Sequence, residues 1–165
     1  FNMFFRIKKI KGREYAYVVE NEWGRKGSRQ RVKGYLGRVY RLSLSDNVGF
    51  LSFIKINALE DYISNNEKNK IIKELIEWEL FRFDINKEEF LIDLNNKKIQ
   101  KNKKNVVLFV NDGFMCNLTL KNLLDFKTEG DEQTDGYRLA KAFVEAGIKV
   151  PQEVFVGICQ KLFSF

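Results

Sequence analysis

The chain has 165 residues, of which 44% are hydrophobic, 14% aromatic and 31% charged, with a net charge of +7. That is one domain's length with ample apolar material for a core, and the apolar residues are spread too evenly for a disordered chain. Histidine is absent and the two cysteines, Cys116 and Cys159, form no CxxC pair, which excludes a His-dependent triad, imidazole metal ligation and a Cys-rich zinc site.

Met3 reads as the native start, with Phe1 and Asn2 an addition ahead of it. Basic residues appear before any signal-peptide h-region forms, no apolar run approaches the ~20 residues of a membrane span, and a cytoplasmic location is expected. Residues 3–10 alternate, Phe5 and Ile7 on one side and Phe4, Arg6 and Lys8 on the other, as in a half-buried strand. Lys11-Gly12 is a tight turn. Residues 13–23 form a longer strand with Tyr15, Tyr17, Val19 and Trp23 on one face and Ala16, Val18 and Glu20 on the other. The aromatic row reads first as core packing and second as a platform for unpaired bases. After a turn at Gly24-Arg25-Lys26-Gly27, residues 28–42 form a third strand, bent or bulged at Gly34 and Gly37. Arg29, Arg31 and Lys33 share one face of it, and Tyr35 continues their row. The three strands make an antiparallel meander with a basic strand at one edge.

Residues 43–57 read as a hinge followed by an ambiguous apolar stretch, with Asn57 capping a short helix ALEDYI. Residues 67–81 form a helix with Ile71, Ile72, Leu75, Ile76 and Leu80 inward and Lys73, Glu74 and Glu77 outward. Residues 88–94 read as a strand and 105–110 as another. Between them the run KKIQKNKK holds five lysines and no acid, which reads as a solvated hairpin or a second clamp on a phosphate backbone. Asn111-Asp112-Gly113 is a hairpin turn carried by its Asp-Gly pair. Thr119 is expected to cap a helix LKNLLDF, and residues 127–135 to form an acidic loop. A helix over 136–146, with Leu139, Ala140, Phe143 and Val144 inward, ends at Gly147. Pro151 opens the last helix, lined by Val154, Phe155, Ile158 and Leu162. Cys116 and Cys159 read as buried reduced thiols, with a disulfide left open.

The fold class is therefore α+β: an N-terminal three-stranded antiparallel meander, then a helix, β-hairpins and C-terminal helices. Residues 1–42 are a basic β-meander unit and 43–165 an α+β body, joined in one continuous domain. Charge separates them. Residues 1–42 carry twelve Lys and Arg against three Glu, while residues 43–165 carry seventeen Lys and Arg against nineteen acids. An anionic partner on the N-terminal side follows. Arg6, Lys8, Arg13, Arg25, Lys26, Arg29, Arg31, Lys33 and Arg38 are the candidate nucleic-acid contacts, because phosphate neutralisation needs clustered flexible cations. No catalytic or cofactor-binding residue and no bound cofactor is assigned. Gly-rich phosphate loops and GxSxG are absent.

The strand Y-x-Y-x-V-x-N, the charged glycine turn and the segment R-Q-R-V-K-x-Y-L-G-R-V resemble the N-terminal part of insertion-sequence transposases with a DDE catalytic domain, and the openings of small archaeal proteins. The motif falls on Gly24, Gly27, Arg29, Gln30, Arg31, Tyr35, Leu36 and Gly37, and the resemblance covers about residues 4–40. It implies a DNA-binding role for the β unit. The remaining residues hold no spaced DDE triad, so a transposase activity is not carried over.

The expected function is that of a small non-enzymatic DNA- or RNA-binding protein. A second expectation is an interaction or homodimerisation module built on the C-terminal amphipathic helix with Phe163 and Phe165. A third is a nuclease, in which Asp84, Glu88, Glu89 and Asp93 hold Mg²⁺ together with Asp112.

Overall fold

A computed structural model describes residues 3–163; the expectations for Phe1, Asn2 and Phe165 lie outside them. The β unit consists of β1 (Met3–Ile10), β2 (Arg13–Gly24) and β3 (Gly27–Arg41). β1 and β2 pair in antiparallel register from Met3–Glu20 to Ile10–Arg13, closed by Lys11 and Gly12, both at positive φ. β2 and β3 pair antiparallel from Tyr15–Arg38 to Gly24–Gly27, with two shifts of register. At these bulges Leu36 and Lys33 have no partner of their own on β2, because Tyr17 faces Tyr35 and Val19 faces Val32.

The body follows: α1 (Phe50–Ile54), α2 (Leu59–Asn65), α3 (Lys68–Arg82), β4 (Leu91–Asp93), β5 (Lys98–Lys101), β6 (Lys104–Val110), β7 (Gly113–Met115), α4 (Asn117–Leu124), α5 (Glu132–Glu145) and α6 (Gln152–Phe163). The chain is α+β, but its sheet is mixed. β3 pairs with β6 in parallel, Arg38 with Val106 through Arg41 with Phe109, and the sheet runs β1-β2-β3-β6-β5-β4 with β7 also on β6. The close approach needs Gly37. Its φ is +139°, and a Cβ there would lie 2.4 Å from the Asn105 carbonyl oxygen.

The alternation of β6 divides the hydrophobic interior in two. Val106, Leu108 and Val110 face the main core, where they meet Ile71, Ile72, Leu75, Ile76 and Leu80 of α3, Leu139 and Phe143 of α5, and Val154 and Ile158 of α6. Val107 and Phe109 face a smaller cluster with Ala16, Val39, Leu36, Ile7, Phe114 and Cys116. The β unit is thus fixed to the body by the β3–β6 pairing, by the smaller apolar cluster and by Tyr40, which packs edge-on to Phe90 of the main core at 5.2 Å between ring centres. Among the described residues no helix is long and apolar enough to cross a membrane.

Several local expectations are corrected. α2 begins at Leu59 with Ala58 at its N-cap, so Asn57 does not cap it, and α1 is a helix where the sequence was ambiguous. The strand expected over 88–94 shrinks to Leu91–Asp93, because the Asn86 side chain accepts the backbone N–H groups of Glu88 and Glu89 and holds a turn there. Asn111 and Asp112 form the two-residue loop, both at positive φ, and Gly113 is already paired with Val110. Its need for glycine is steric, since a Cβ would sit 2.3 Å from the Gly147 nitrogen. Thr119 lies inside α4, its hydroxyl accepting the Cys116 N–H at 3.1 Å and donating to the Phe114 carbonyl at 2.5 Å. α5 starts earlier than expected. It buries Asp135, Leu139, Ala142 and Phe143 and leaves Val144 exposed, a phase one residue away from the expected one.

Candidate nucleic-acid interface

Register decides which cations stand together. Partners across antiparallel strands share a face, so Arg6 with Tyr17 and Tyr35, and Lys8 with Tyr15 and Arg38, stand on one side of the β unit. Arg13 and Tyr40 join this side by alternation along β2 and β3. Lys9, Glu14, Glu20, Glu22, Arg29, Arg31, Lys33 and Arg41 stand on the other. Arg25 and Lys26 occupy the hairpin loop between the Gly24–Gly27 pair. The nine expected contact residues therefore divide between two faces and a tip.

The same register corrects the expected row. The bulge at Lys33 adds one residue to β3, so Tyr35 crosses to the side opposite Arg29 and Arg31 and lies 5.2 Å, ring to ring, from Tyr17. Trp23 is also corrected. Near the tip of the ribbon, where no helix covers it, it is 76% exposed and does not belong to the core.

The two faces differ in chemistry. All three glutamates of the β unit lie with the Arg29 face, and each engages one of its cations: Arg31 pairs with Glu22 and Lys33 with Glu20, each at 3.0 Å, and Arg41 with Glu14. Arg41 forks onto both oxygens of Glu14, at 2.6 and 2.9 Å, and this hydrogen-bonded guanidinium holds the Glu14 carboxyl below its ordinary range. The opposite face has Arg6, Lys8, Arg13 and Arg38 and no acid from the β unit. Arg6 donates across β2 to the Gln30 side-chain oxygen. Lys8 lies 5.1 Å from the Tyr17 ring centre, and the Arg38 guanidinium 4.9 Å from that of Tyr40.

This face runs into a cleft of about 520 Å³ where β3 meets the β5–β6 hairpin. Arg13, Tyr15, Tyr35, Arg38 and Tyr40 line it from the β unit, and Lys101 and Lys104 from the hairpin. The lysine run is thus a hairpin, β5 turning at Asn102-Lys103 into β6, and it brings two of its lysines beside the arginines of the meander. Lys101 is 4.8 Å from the Tyr40 ring centre and also pairs with Glu89 at 2.5 Å. Burial, and then the neighbouring phenols of Tyr17, Tyr15 and Tyr40, push the Tyr35 hydroxyl above its ordinary value, so it stays protonated and neutral. Tyr40 was not singled out from the sequence. The alternation Arg38-Val39-Tyr40 beyond Gly37 is the signal that places it on this face.

The remaining candidates disperse. Glu89 is tied to Lys101 and Asp93 to Asn96, and among the described residues no group of three or more acids or cysteines is arranged to hold a metal ion. Asp84, Glu88, Glu89, Asp93 and Asp112 therefore do not form the expected Mg²⁺ site. The expected acidic loop is partly structural: Asp131 caps α5, and buried Asp135 accepts the Glu129 and Gly130 N–H groups. Both cysteines are free, and burial raises both thiols above the ordinary value, so neither is an activated thiolate. α6 turns Val154, Gly157 and Ile158 into its own body, with Gly157 against Ile63 of α2. Comparison of the chain with protein-family models, curated proteins and solved structures finds no match.

Proposed function

We propose that this protein binds nucleic acid through the face of its β unit that carries Arg6, Lys8, Arg13 and Arg38, extended by Lys101 and Lys104 of the β5–β6 hairpin. The observation that carries the reading is the sorting of charge: all three glutamates of residues 1–42 stand on the opposite face. A solvent-facing surface whose own strands contribute cations and no acid attracts a polyanion and releases its condensed counterions on contact, with Glu89 beside Lys101 the acid at its margin. Arginine is suited to forking onto phosphate oxygens, while the lysines act as mobile point charges. The resemblance of residues 4–40 to DNA-binding β segments points the same way. No catalytic step is assigned, and the role is one of binding.

The test compares two double variants that remove the same charge from opposite faces. Arg13→Ala/Arg38→Ala is expected to weaken binding and to flatten the dependence of log K on log salt by roughly 1.4–1.8. Arg29→Ala/Arg31→Ala, on the face already engaged by Glu20 and Glu22, is expected to flatten it less. Equal effects of the two pairs would show that only overall charge matters and would remove the assigned face.

A further inference from the structure

The cationic face exposes aromatic rings that phosphate binding leaves without a role. Tyr35 is 56% exposed and Trp23 76% exposed, both in the most strongly charged part of the chain. Trp23 shares its side of β2 with Tyr17 and Tyr15, and Tyr35 pairs with Tyr17 on that side. From Tyr17 to Trp23 is six residues of extended strand, about 20 Å, room for several nucleotides of an unpaired strand. In a duplex the base faces are stacked on one another, and a protein surface meets phosphate, sugar and base edges. In a single strand the base faces are open, and an aromatic ring beside a cation is the surface they stack on.

We propose that the ligand of this face is single-stranded nucleic acid, with bases stacked on Tyr35 and Trp23 and phosphates held by Arg13, Arg38 and Lys104. Arg13, Arg38 and Lys104 line the same cleft as Tyr35, so one strand reaches both rings and charges there. Trp23 extends the track toward the tip, where Arg25 and Lys26 add charge. Every base has a stacking face, so little sequence preference follows. This inference rests on the polyanion reading of the preceding subsection.

The test measures fluorescence anisotropy with labelled oligothymidylate, oligouridylate and duplex DNA of about 12 nucleotides, and with unlabelled inorganic polyphosphate as a base-free competitor. Both single strands are expected to bind more tightly than the duplex and to resist displacement by polyphosphate of equal charge. The thymidylate and uridylate arms separate a DNA from an RNA ligand. Tyr35→Ala should weaken single-strand binding by roughly 5- to 150-fold, the range for losing one stacked base, while Tyr35→Phe, which keeps the ring, should bind as the wild type does. Trp78 is only 5% exposed, so quenching of tryptophan emission by a bound single strand should come from Trp23 and disappear in Trp23→Phe. Thermal unfolding of each variant verifies that it is folded. Duplex binding as tight as single-strand binding, with a folded Tyr35→Ala that behaves as wild type, overturns the single-strand assignment and leaves the polyanion reading intact. No binding of any oligonucleotide, duplex or polyphosphate overturns both.

Discussion

Glu79 brings a carboxylate into the main core with no exposed surface. Its two oxygens accept from Arg82 at 2.6 Å, from the Asn111 side chain at 2.7 Å and from the Lys149 N–H at 2.7 Å, linking α3 to the β6–β7 turn and to the segment before α6. Burial outweighs these partners and raises its titration above the ordinary carboxylate range. Between the unfolded value, about 4.3, and the raised one, the folded chain holds a proton that the unfolded chain has released, so stability falls as pH rises through that window. Glu79→Gln lacks this slope. The stability advantage of wild type over Glu79→Gln, measured by thermal unfolding across a pH series, is expected to narrow as pH rises there; a widening gap would contradict the assignment. Asp135 has the opposite sign. Burial works to raise it, but the Glu129 and Gly130 N–H groups and Arg138 outweigh burial and hold it low. Its contribution is present above the unfolded carboxylate value and is lost as pH falls through the lowered one, so Asp135→Asn should flatten the acid limb of the same series. Neither residue stood out in the sequence. Glu79 falls among the apolar positions of a helix whose face was legible, and nothing local announces Asn111 and Lys149, the two partners that come from distant segments.

At the scale of elements, the seam between β3 and β6 and the free end of the ribbon make opposite predictions. Gly37→Ala places a methyl group against the β6 backbone and forces a backbone shift of about 1–3 kcal/mol. Gly34→Ala, in the neighbouring bulge where nothing lies within 4 Å, is expected to cost much less. Chemical denaturation of the two variants checks the contrast, and equal losses would refute the close approach. At the other end, Trp23→Ala should alter stability by less than about 0.5 kcal/mol, since no core residue packs on it, while removing the fluorescence response to ligand. The sequence marked Gly34 and Gly37 as irregularities of one strand because glycine inside an alternating run is a local signal. Which of them another backbone approaches is a long-range fact and was not legible. The three N-terminal strands, the turns between them and the inward face of α3 were readable from period and turn residues alone. The position of Tyr35 was not, because a single unpaired residue at Lys33 reverses the side of the residues that follow it until the second bulge, at Leu36, restores it.

At the scale of the molecule, the net charge of +7 matters less than its arrangement. Fourfold dilution of salt should tighten binding by roughly tenfold or more, because several released counterions act together; a titration from low to moderate ionic strength measures this, and a flat response would oppose the proposed ligand class. The clustering of charge at the amino end was legible by counting, but its division between two faces depends on pairing and bulges. The parallel joining of β3 to β6 was equally hidden, because adjacent strands in a meander give no sign that the free edge is taken by a strand from beyond residues 42–103. That joining has a consequence for biosynthesis. As the nascent chain leaves the ribosome, the hairpins of β1, β2 and β3 have all their local partners, but the outer edge of β3 must wait for β6 while α1, α2 and α3 are still being translated. Meanwhile its backbone amides and carbonyls are open to any other unpaired strand, and the arginines and lysine along its length repel a second copy of the same segment.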